Sequence, residues 1–260
     1  MNGDAARAAW AESLEPVTVA MLESVCPGPG DRVLDVGAGT GDLSFRIAGC
    51  VGPTGRVVAV DPAPGAIEAL TRHRPKDGES AVQAVRSAAE TLDLDDPVDI
   101  IVARNAVMYF TDLDRALGNL HRLLRSGGRL AVSVYARLEH EPYHAIPLAA
   151  VRRHGPLGPP LPEYAAAFAV TATDVVAALG RAGFRSVRAR EVGVQRSFPS
   201  FAALEAALRA SGSLRELLER LGPAERTAAW PNMLDAFGRH VVDDGRVVVP
   251  GRQVVISATA

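Results

Sequence analysis

The segment Val33–Leu43, VLDVGAGTGDL, constrains the fold more than any other part of the chain. A short apolar run containing Asp35 leads directly into Gly37, Gly39 and Gly41, after which helix-forming residues begin. Glycine is needed where the backbone turns tightly or a ligand lies against the main chain, and a helix behind such a loop offers free N–H groups. The segment therefore predicts a strand, a ligand-binding loop and a helix.

Short apolar runs alternate with helical patterns through the first half of the chain. We expect helices over 5–25 (interrupted at Pro16), 42–48, 64–73 and 112–125, and strands over 32–36, 56–60, 81–86, 98–103 and 129–135. The sequence Ser126-Gly127-Gly128 is expected to stop the last of these helices. Alternation of this kind implies right-handed crossovers and a mostly parallel sheet.

The second half follows a different pattern. A capped helix is predicted over 171–182 and a strand over 184–194. Residues 199–240 are predicted to be helical, with breaks at Gly212, Gly222-Pro223 and Pro231, and a last strand is predicted over 247–258. The sixth and seventh strands, separated by this helical insertion, are expected to pair antiparallel at one edge of the sheet.

Composition excludes several classes of function. The 260 residues carry a formal net charge of −2, and no run of Lys and Arg provides the basic surface that nucleic-acid binding requires. The amino terminus has no signal-like apolar core and no stretch approaches a membrane span, so we expect a cytoplasmic protein without a membrane partner. Cys26 and Cys50 have no CxxC or histidine partner and are expected to be buried free thiols.

The spacing of the glycine loop decides between ligands. It is D-x-G-x-G-x-G, not the dinucleotide pattern G-x-G-x-x-G, and an acid at the strand end suits a cationic amino-acid group better than a pyrophosphate. The segment resembles motif I of the class I S-adenosylmethionine (SAM)-dependent methyltransferases. The resemblance covers residues 10–136, and the tail more loosely resembles the ubiquinone/menaquinone-type (methyltransferase type 11) group of small-molecule enzymes.

This resemblance implies a fold and an activity. The expected fold is α/β and Rossmann-like: a seven-stranded, mostly parallel sheet with helices on both faces, an antiparallel last strand, and a helical cap from the amino terminus and from the insertion. It also implies SAM as cofactor, S-adenosylhomocysteine as product, and methyl transfer to oxygen, nitrogen or carbon of a small-molecule acceptor. We expect one domain over 1–260, comprising a cap (1–30), a SAM-binding core (31–136), a substrate-side segment with the sixth strand (137–198), the insertion (199–246) and the last strand (247–260).

Cofactor contacts are expected on the glycine loop, at the end of the second strand, in the family's adenine-contacting loop and after the fourth strand. The residues at these places are Asp35, Gly37, Ala38, Gly39, Thr40, Gly41, Asp61, Pro62, Ala88, Ala89, Glu90, Arg104 and Asn105. In the family, the acid matching Asp61 hydrogen-bonds both ribose hydroxyls of SAM. The acid often found at the position of Ala88 is absent, so adenine recognition would rest on backbone near Ala89, on Glu90 or on packing.

Simpler interpretations of these residues remain open. Asp35 could cap the following helix, and Asp61 could be a turn acid before Pro62. Glu90 could be a solvated loop acid, and Arg104 could form a surface salt bridge. Asn105 follows a buried strand at the sheet edge where ligands bind in open α/β sheets, which favours a role in the site.

A general base is needed only if the acceptor must lose a proton, and three candidates lie at the end of the fifth strand or soon after it. They are Tyr135, His140 and His144. The two histidines could instead lie on an exposed helix face at i and i+4, and no third ligand completes a metal site, so no metal is expected. Acceptor contacts are expected from Trp10, Tyr109, Tyr143 and Trp230, although packing among cap helices explains such aromatic residues equally well.

Two other functions stay open at this point. A protein of the same fold could bind SAM without transferring its methyl group, as a cyclase-type enzyme would. A nicotinamide-dependent oxidoreductase is disfavoured by the glycine spacing and by the position of Asp35.

Overall fold

The computed structural model describes residues 10–73, 82–159 and 163–260. The predicted helical residues 5–9 and the first residue of the predicted strand 81–86 lie outside that part. Contacts divide the chain into two compact units. The sheet unit contains the described residues of Val17–Val134, Thr171–Val192 and Val254–Ala260, and the helical unit contains those up to Pro16, Tyr135–Val170 and Gly193–Gln253. The organisation of 1–260 as one domain stays a prediction.

In the described residues, seven strands form one sheet in the order β3-β2-β1-β4-β5-β7-β6. Their bounds are β1 Arg32–Val36, β2 Arg56–Asp61, β3 Val82–Arg86, β4 Val98–Arg104, β5 Leu124–Tyr135, β6 Arg185–Phe198 and β7 Val247–Thr259. The neighbours among β1 to β5 pair in parallel. β1 and β4 are almost wholly buried, which is why both are continuous apolar runs in the sequence.

The last strand reverses direction. Gly127 and Gly128 exchange backbone hydrogen bonds with Ala260, whereas Ala136 donates to the carbonyl oxygen of Arg252. Residue numbers thus rise along β5 while they fall along β7, so the two strands are antiparallel. This confirms the predicted Rossmann-like, mostly parallel seven-stranded sheet with an antiparallel last strand.

Ten helices, numbered here, accompany the sheet in the described residues. They are α1 Glu15–Val25, α2 Asp42–Val51, α3 Pro64–Arg72, α4 Leu113–Leu123, α5 Pro142–Arg152, α6 Glu163–Ala166, α7 Ala172–Arg181, α8 Phe201–Ala210, α9 Gly212–Glu219 and α10 Pro223–Phe237. Residues 10–13 are also helical. Short 3-10 turns occur at Val107–Tyr109, Leu138–His140 and Gly238–His240.

Local chemistry explains several helix ends. Thr171 and Asp174 form a reciprocal capping box at the start of α7, as the predicted cap requires. Asp112 caps α4 through the Arg115 N–H, and Ser211 caps α9 through the Leu214 N–H. The predicted break near Gly212 is therefore a cap between two helices.

Two prolines do not break helices as predicted. Pro16 lies in the first turn of α1, where its missing N–H has no intrahelical partner to lose, and the chain turns at Leu14 instead. Pro231 lies inside α10. It is exposed, so water can reach the carbonyl group of Thr227 that its missing N–H leaves unpaired.

The segment after α4 and the cysteines also differ from expectation. The helix ends at Leu123, and residues 124–128 belong to β5, because Leu124 pairs with Val98 before the register shifts at a bulge. Gly127 accommodates the bulge with a φ of +73°.

The two cysteines are free as predicted, but both are exposed rather than buried.

None of the helices in the described residues is long and apolar enough to cross a membrane. Within the same residues, no cluster of three or more His, Cys, Asp and Glu side chains has a geometry that could hold a metal ion.

Candidate functional site

The glycine loop leaves β1 and folds back onto β2. The N–H groups of Gly37 and Ala38 donate to the carbonyl oxygen of Val60, at 2.7 and 3.0 Å. Gly37, Gly39 and Gly41 all have positive φ angles, of 71°, 54° and 85°. Residues with a Cβ rarely adopt this conformation, so the backbone path itself selects glycine.

The three glycines face different surroundings. A Cβ added to Gly37 would lie 2.4 Å from the Cβ of Ala106, and one added to Gly41 would lie 2.8 Å from Cγ of Leu70. These two positions are tightly packed. A Cβ on Gly39 would meet nothing within 4 Å, so the space above this residue is open. The loop therefore presents bare backbone to a ligand at its centre.

Asp61, at the end of β2, ties the loop in place. One carboxylate oxygen accepts the Gly39 N–H at 3.0 Å and the other accepts the Ala63 N–H at 2.9 Å. Each oxygen keeps a further lone pair, so the carboxylate can also accept two hydroxyl donors from a ligand. Asp61 thus has the acceptors that a ribose contact requires. The following Pro62 is exposed.

Asp35 lies inside the sheet unit rather than on the loop surface. It is 1% exposed and accepts a hydrogen bond of 2.5 Å from Oγ of Ser44. Burial raises its pKa to about 6, although the Ser44 hydrogen bond and the charge of Arg104 act in the opposite direction. The helix-cap alternative for Asp35 is wrong, because Gly41 occupies the N-cap of α2 and no side chain caps it.

Arg104 and Asn105 follow β4 and have different surroundings. The guanidinium of Arg104 forms an ion pair with Asp42 and donates to Oγ1 of Thr18 at 2.7 Å, with its side chain only 11% exposed. This is a largely buried structural pair, not the surface salt bridge considered from the sequence. A direct cofactor contact of Arg104 stays a prediction.

Asn105 has a donor to spare. Its backbone has a φ of +54°, its Oδ1 accepts from Oγ of Ser133 at 3.0 Å, and its N–H donates to the carbonyl and hydroxyl oxygens of the same serine. Nδ2 is buried and has no hydrogen-bond partner among the residues that the structure describes. A polar ligand at the end of β4 would satisfy it.

The predicted adenine loop is held by neighbouring segments. Nδ2 of Asn119 donates to the carbonyl oxygen of Ala89 at 2.9 Å, and the carbonyl of Ala88 accepts the N–H groups of Thr91 and Leu92. Oε1 of Glu90 accepts the backbone N–H groups of Thr111 and Asp112. The Glu90 carboxylate thus links two loops and is not simply solvated. Thr40 in turn donates to Asp42 at 3.2 Å.

Together these residues fit the cofactor that the motif implies. The open backbone at Gly39, the free lone pairs of Asp61 and the unpartnered Nδ2 of Asn105 belong to the same unit and lie at the carboxyl ends of adjacent parallel strands. Ligands bind at that edge in open α/β sheets. None of these groups is fully occupied by the protein's own contacts.

The candidate bases lie in the helical unit. His144, on α5, is 7% exposed and its ring centre is 4.7 Å from that of Tyr135. Burial lowers the pKa of His144, so the imidazole is neutral near pH 7 and can accept a proton. His140 lies in a separate 3-10 turn, so an exposed i, i+4 helix face is the wrong description of the two histidines.

A buried ion pair, which the sequence analysis missed, lies beside His144. Nη1 of Arg196 donates to Oε2 of Glu141 at 3.1 Å, and Oε1 of Glu141 accepts the N–H of Arg252. Arg196 is 3% exposed and Glu141 is fully buried. The guanidinium carbon of Arg196 lies 4.9 Å from the ring centre of Trp10 and 4.8 Å from that of Tyr143.

The four predicted acceptor contacts are therefore only partly brought together. Trp10 and Tyr143 meet at Arg196. Trp230 lies elsewhere: its ring centre is 4.2 Å from the guanidinium carbon of Arg209. It lines a cavity of about 460 Å³ formed by α8, α9 and α10. Tyr109 is 45% exposed in the sheet unit.

Residues 27–152 match a family described as a methyltransferase domain. This match covers the glycine loop, Asp61 and Asn105. The matched segment makes up just under half of the chain.

Two curated relatives each match a stretch of this chain nearly as long as the one that the family matches. A malonyl-acyl-carrier-protein O-methyltransferase from Methylococcus capsulatus is 41% identical over 108 residues, which are 41% of this chain and 38% of the relative. A ubiquinone/menaquinone biosynthesis C-methyltransferase from Shewanella baltica is 36% identical over 115 residues, 44% of this chain and 46% of the relative. The chain thus spans less than half the length of these relatives.

Solved structures resemble the chain over most of its length. The 4+2 cyclase SpnF aligns with a TM-score of 0.59 and 19% identity, over 94% of this chain and 79% of that one. A phosphoethanolamine N-methyltransferase from Haemonchus contortus, solved with S-adenosylhomocysteine, aligns with a TM-score of 0.56 and 16% identity, over 94% and 52%. At these identities the likeness concerns the fold alone.

Proposed function

We propose that the protein is a SAM-dependent methyltransferase that acts on a small-molecule acceptor. The observation that carries this proposal is the combination, within a segment that matches a methyltransferase domain, of an open loop at Gly39 with the acceptors of Asp61 and the donor of Asn105. Two curated relatives that are methyltransferases support it.

The sheet unit would hold the cofactor. Asp61 would accept hydrogen bonds from the two ribose hydroxyls, and the backbone of the loop from Gly37 to Gly41 would contact the ligand. Nδ2 of Asn105 would donate a hydrogen bond to a polar group of the ligand. The residues 88–90 would contact the adenine through backbone and packing, because Glu90 is already engaged with Thr111 and Asp112. Asp35 would act on a cationic ligand group through its field, since its carboxylate is buried.

The cofactor supplies a methyl group already activated by a sulfonium charge. The residues of the chain therefore have to align the acceptor and exclude water, and alignment alone contributes roughly 7–11 kcal/mol in favourable cases. If the acceptor must lose a proton, His144 is the better candidate base, because it is neutral, buried and next to Tyr135. His140 is a weaker candidate, since it lies apart from that aromatic cluster.

The acceptor would be a small molecule rather than a nucleic acid, because the helical unit surrounds its candidate residues with aromatic rings rather than with an extended basic surface. We also propose that the protein works in the cytoplasm. The two free, exposed cysteines are compatible with a reducing compartment.

The proposal is tested by following an isotope-labelled methyl group. Purified protein is incubated with labelled SAM and, in separate samples, with the low-molecular-mass and the macromolecular fraction of a cell extract. S-adenosylhomocysteine and labelled products are then measured by mass spectrometry. We expect S-adenosylhomocysteine to form together with a labelled small molecule, and the Asp61→Ala variant to form neither. Labelled nucleic acid or protein in place of a labelled small molecule would contradict the proposed acceptor class.

A second function is compatible with the fold, which the cyclase SpnF shares. Under that alternative the protein binds SAM but leaves the methyl group in place. SAM binding without any S-adenosylhomocysteine formation, over a broad range of acceptors, would favour the alternative over methyl transfer.

A further inference from the structure

We propose that the Nε–Nη2 edge of Arg196 binds a carboxylate of the acceptor, so that the substrate is a small molecule bearing a carboxylate group. This inference rests on the proposed function, which makes the bound carboxylate part of a methyl acceptor. Its evidence lies in the helical unit and is independent of the glycine loop.

The edge is a pair of donors left without an acceptor. Within residues 10–73, 82–159 and 163–260, Nη1 alone of the three guanidinium nitrogens has a hydrogen-bond partner, the carboxylate of Glu141. Nε and Nη2 are both buried and have no hydrogen-bond partner among the described residues. Buried polar groups are almost always hydrogen-bonded, and an unsatisfied charged donor is especially unfavourable, so two such donors on one side chain indicate a missing ligand.

The geometry of this edge selects the ligand. Nε–H and one Nη2–H point in the same direction, in the plane of the guanidinium, and match the two oxygens of a carboxylate. The same chain uses this edge elsewhere. Nε and Nη2 of Arg209 both donate to Glu205, at 3.0 and 2.7 Å, and those of Arg181 both donate to Asp114. Arg196 has the same edge free and, unlike those two arginines, it is buried.

The rest of the residue is fixed in place. Glu141 holds Nη1 from one side, and the rings of Trp10 and Tyr143 lie against the guanidinium. A preorganised arginine loses little conformational entropy when it binds. Trp10 is 39% exposed, so the guanidinium lies one side chain below the surface. Tyr135 and His144, the candidate bases, belong to the same cluster through the contacts of Tyr143 with His144 and of His144 with Tyr135.

The direct test observes the Arg196 Nε–H by proton–nitrogen NMR of the full-length protein saturated with S-adenosylhomocysteine. Acetate, benzoate and phenylacetate are titrated in turn, each against its uncharged amide. We expect at least one carboxylate to shift the Arg196 Nε–H resonance saturably, while its amide leaves the resonance in place. No shift with any of the three carboxylates, or equal shifts with the amides, would overturn the inference.

The variant Arg196→Lys assigns the resonance and provides a second measurement. Lysine keeps a positive charge opposite Glu141, so the fold is protected, but it has no two-donor edge. We expect the Kd of the best carboxylate to rise about tenfold or more, as for the loss of a charge-assisted bidentate contact. The matched control is Arg209→Lys, an arginine that also lies over a tryptophan ring but already uses this edge for Glu205. It should leave the Kd unchanged, and an equal loss of binding in both variants would contradict a specific site at Arg196.

Binding of S-adenosylhomocysteine is measured by calorimetry on the same protein, and the carboxylate titration is repeated without it, which separates the two proposals. Cofactor binding without any response to carboxylates overturns only the carboxylate site. A carboxylate response without cofactor binding supports the site at Arg196 and contradicts the proposed function.

Discussion

Replacing Asp35 by Asn should stabilise the protein at neutral pH, because the native aspartate is buried in the sheet unit. Burial raises its pKa from 3.8 to about 6, although the hydrogen bond from Ser44 opposes the shift. The folded protein therefore keeps a proton that the unfolded chain releases between these two pH values. Stability falls as pH rises through that window, and the whole penalty is present above about pH 6. The difference between a pKa of 3.8 and one of about 6 corresponds to about 3 kcal/mol of unfolding free energy.

Asparagine has the same shape and can accept the Ser44 hydroxyl, but it does not ionise. We therefore expect the Asp35→Asn variant to match the wild type near pH 4 and to exceed its free energy of unfolding by about 3 kcal/mol near pH 7.5. The assay is urea unfolding of both proteins at a series of pH values, without cofactor. A difference that does not change between the two pH values would refute the assignment of a buried, charged Asp35.

Asp99, on the neighbouring strand β4, is the matched control with the opposite sign. Burial alone would raise its pKa, but hydrogen bonds from the Arg32 N–H and from Arg125, together with nearby arginine charges, outweigh burial and lower it. The carboxylate then stabilises the fold above its unfolded pKa, and this contribution is lost as pH falls. The Asp99→Asn variant should be less stable than the wild type, and more so at neutral than at acidic pH.

Two further substitutions test, by chemical unfolding, the packing within each of the two units. Gly37→Ala combines a φ of +71° with a Cβ that would lie 2.4 Å from that of Ala106. It should lower the free energy of unfolding by about 1–3 kcal/mol more than Gly39→Ala, which has the same kind of backbone strain but open space around the new Cβ. Equal losses in the two variants would contradict the contact with Ala106. Glu141→Gln leaves the buried charge of Arg196 without its counter-ion and should destabilise the protein by about 3–5 kcal/mol, whereas a change below about 1 kcal/mol would mean that the pair is solvated.

Local features of the sequence were sufficient to predict the sheet and the glycine loop that follows its first strand. The strand β1 is a short apolar run, and the glycines after it occupy three positive-φ positions in five residues. Both signals depend only on neighbouring residues. The predicted end of α4 was wrong because Leu124 joins a strand by pairing with Val98, and such pairing with a distant segment leaves no local pattern.

The buried cluster of the helical unit could not be predicted in this way. Strand β6 carries arginines at 185, 188, 190 and 196, and nothing near them in sequence distinguishes the last one. Arg196 is buried because Trp10, Tyr143 and Glu141, all distant along the chain, cover it. His144 was named as a candidate base from the sequence, and its burial likewise depends on residues distant along the chain, Tyr164 and Phe168. One signal was present: an acid at 141 beside an aromatic residue at 143.

The most direct test of the central claim is calorimetric titration of the purified protein with SAM, S-adenosylhomocysteine and, separately, NAD(H). We predict that both adenosyl compounds bind and that NAD(H) does not. The Asp61→Ala variant should bind them more weakly by about 2–4 kcal/mol, because charge-assisted hydrogen bonds contribute about 1.5–3 kcal/mol each. Binding of NAD(H) alone, or an unchanged dissociation constant in the variant, would contradict the cofactor site proposed for the sheet unit.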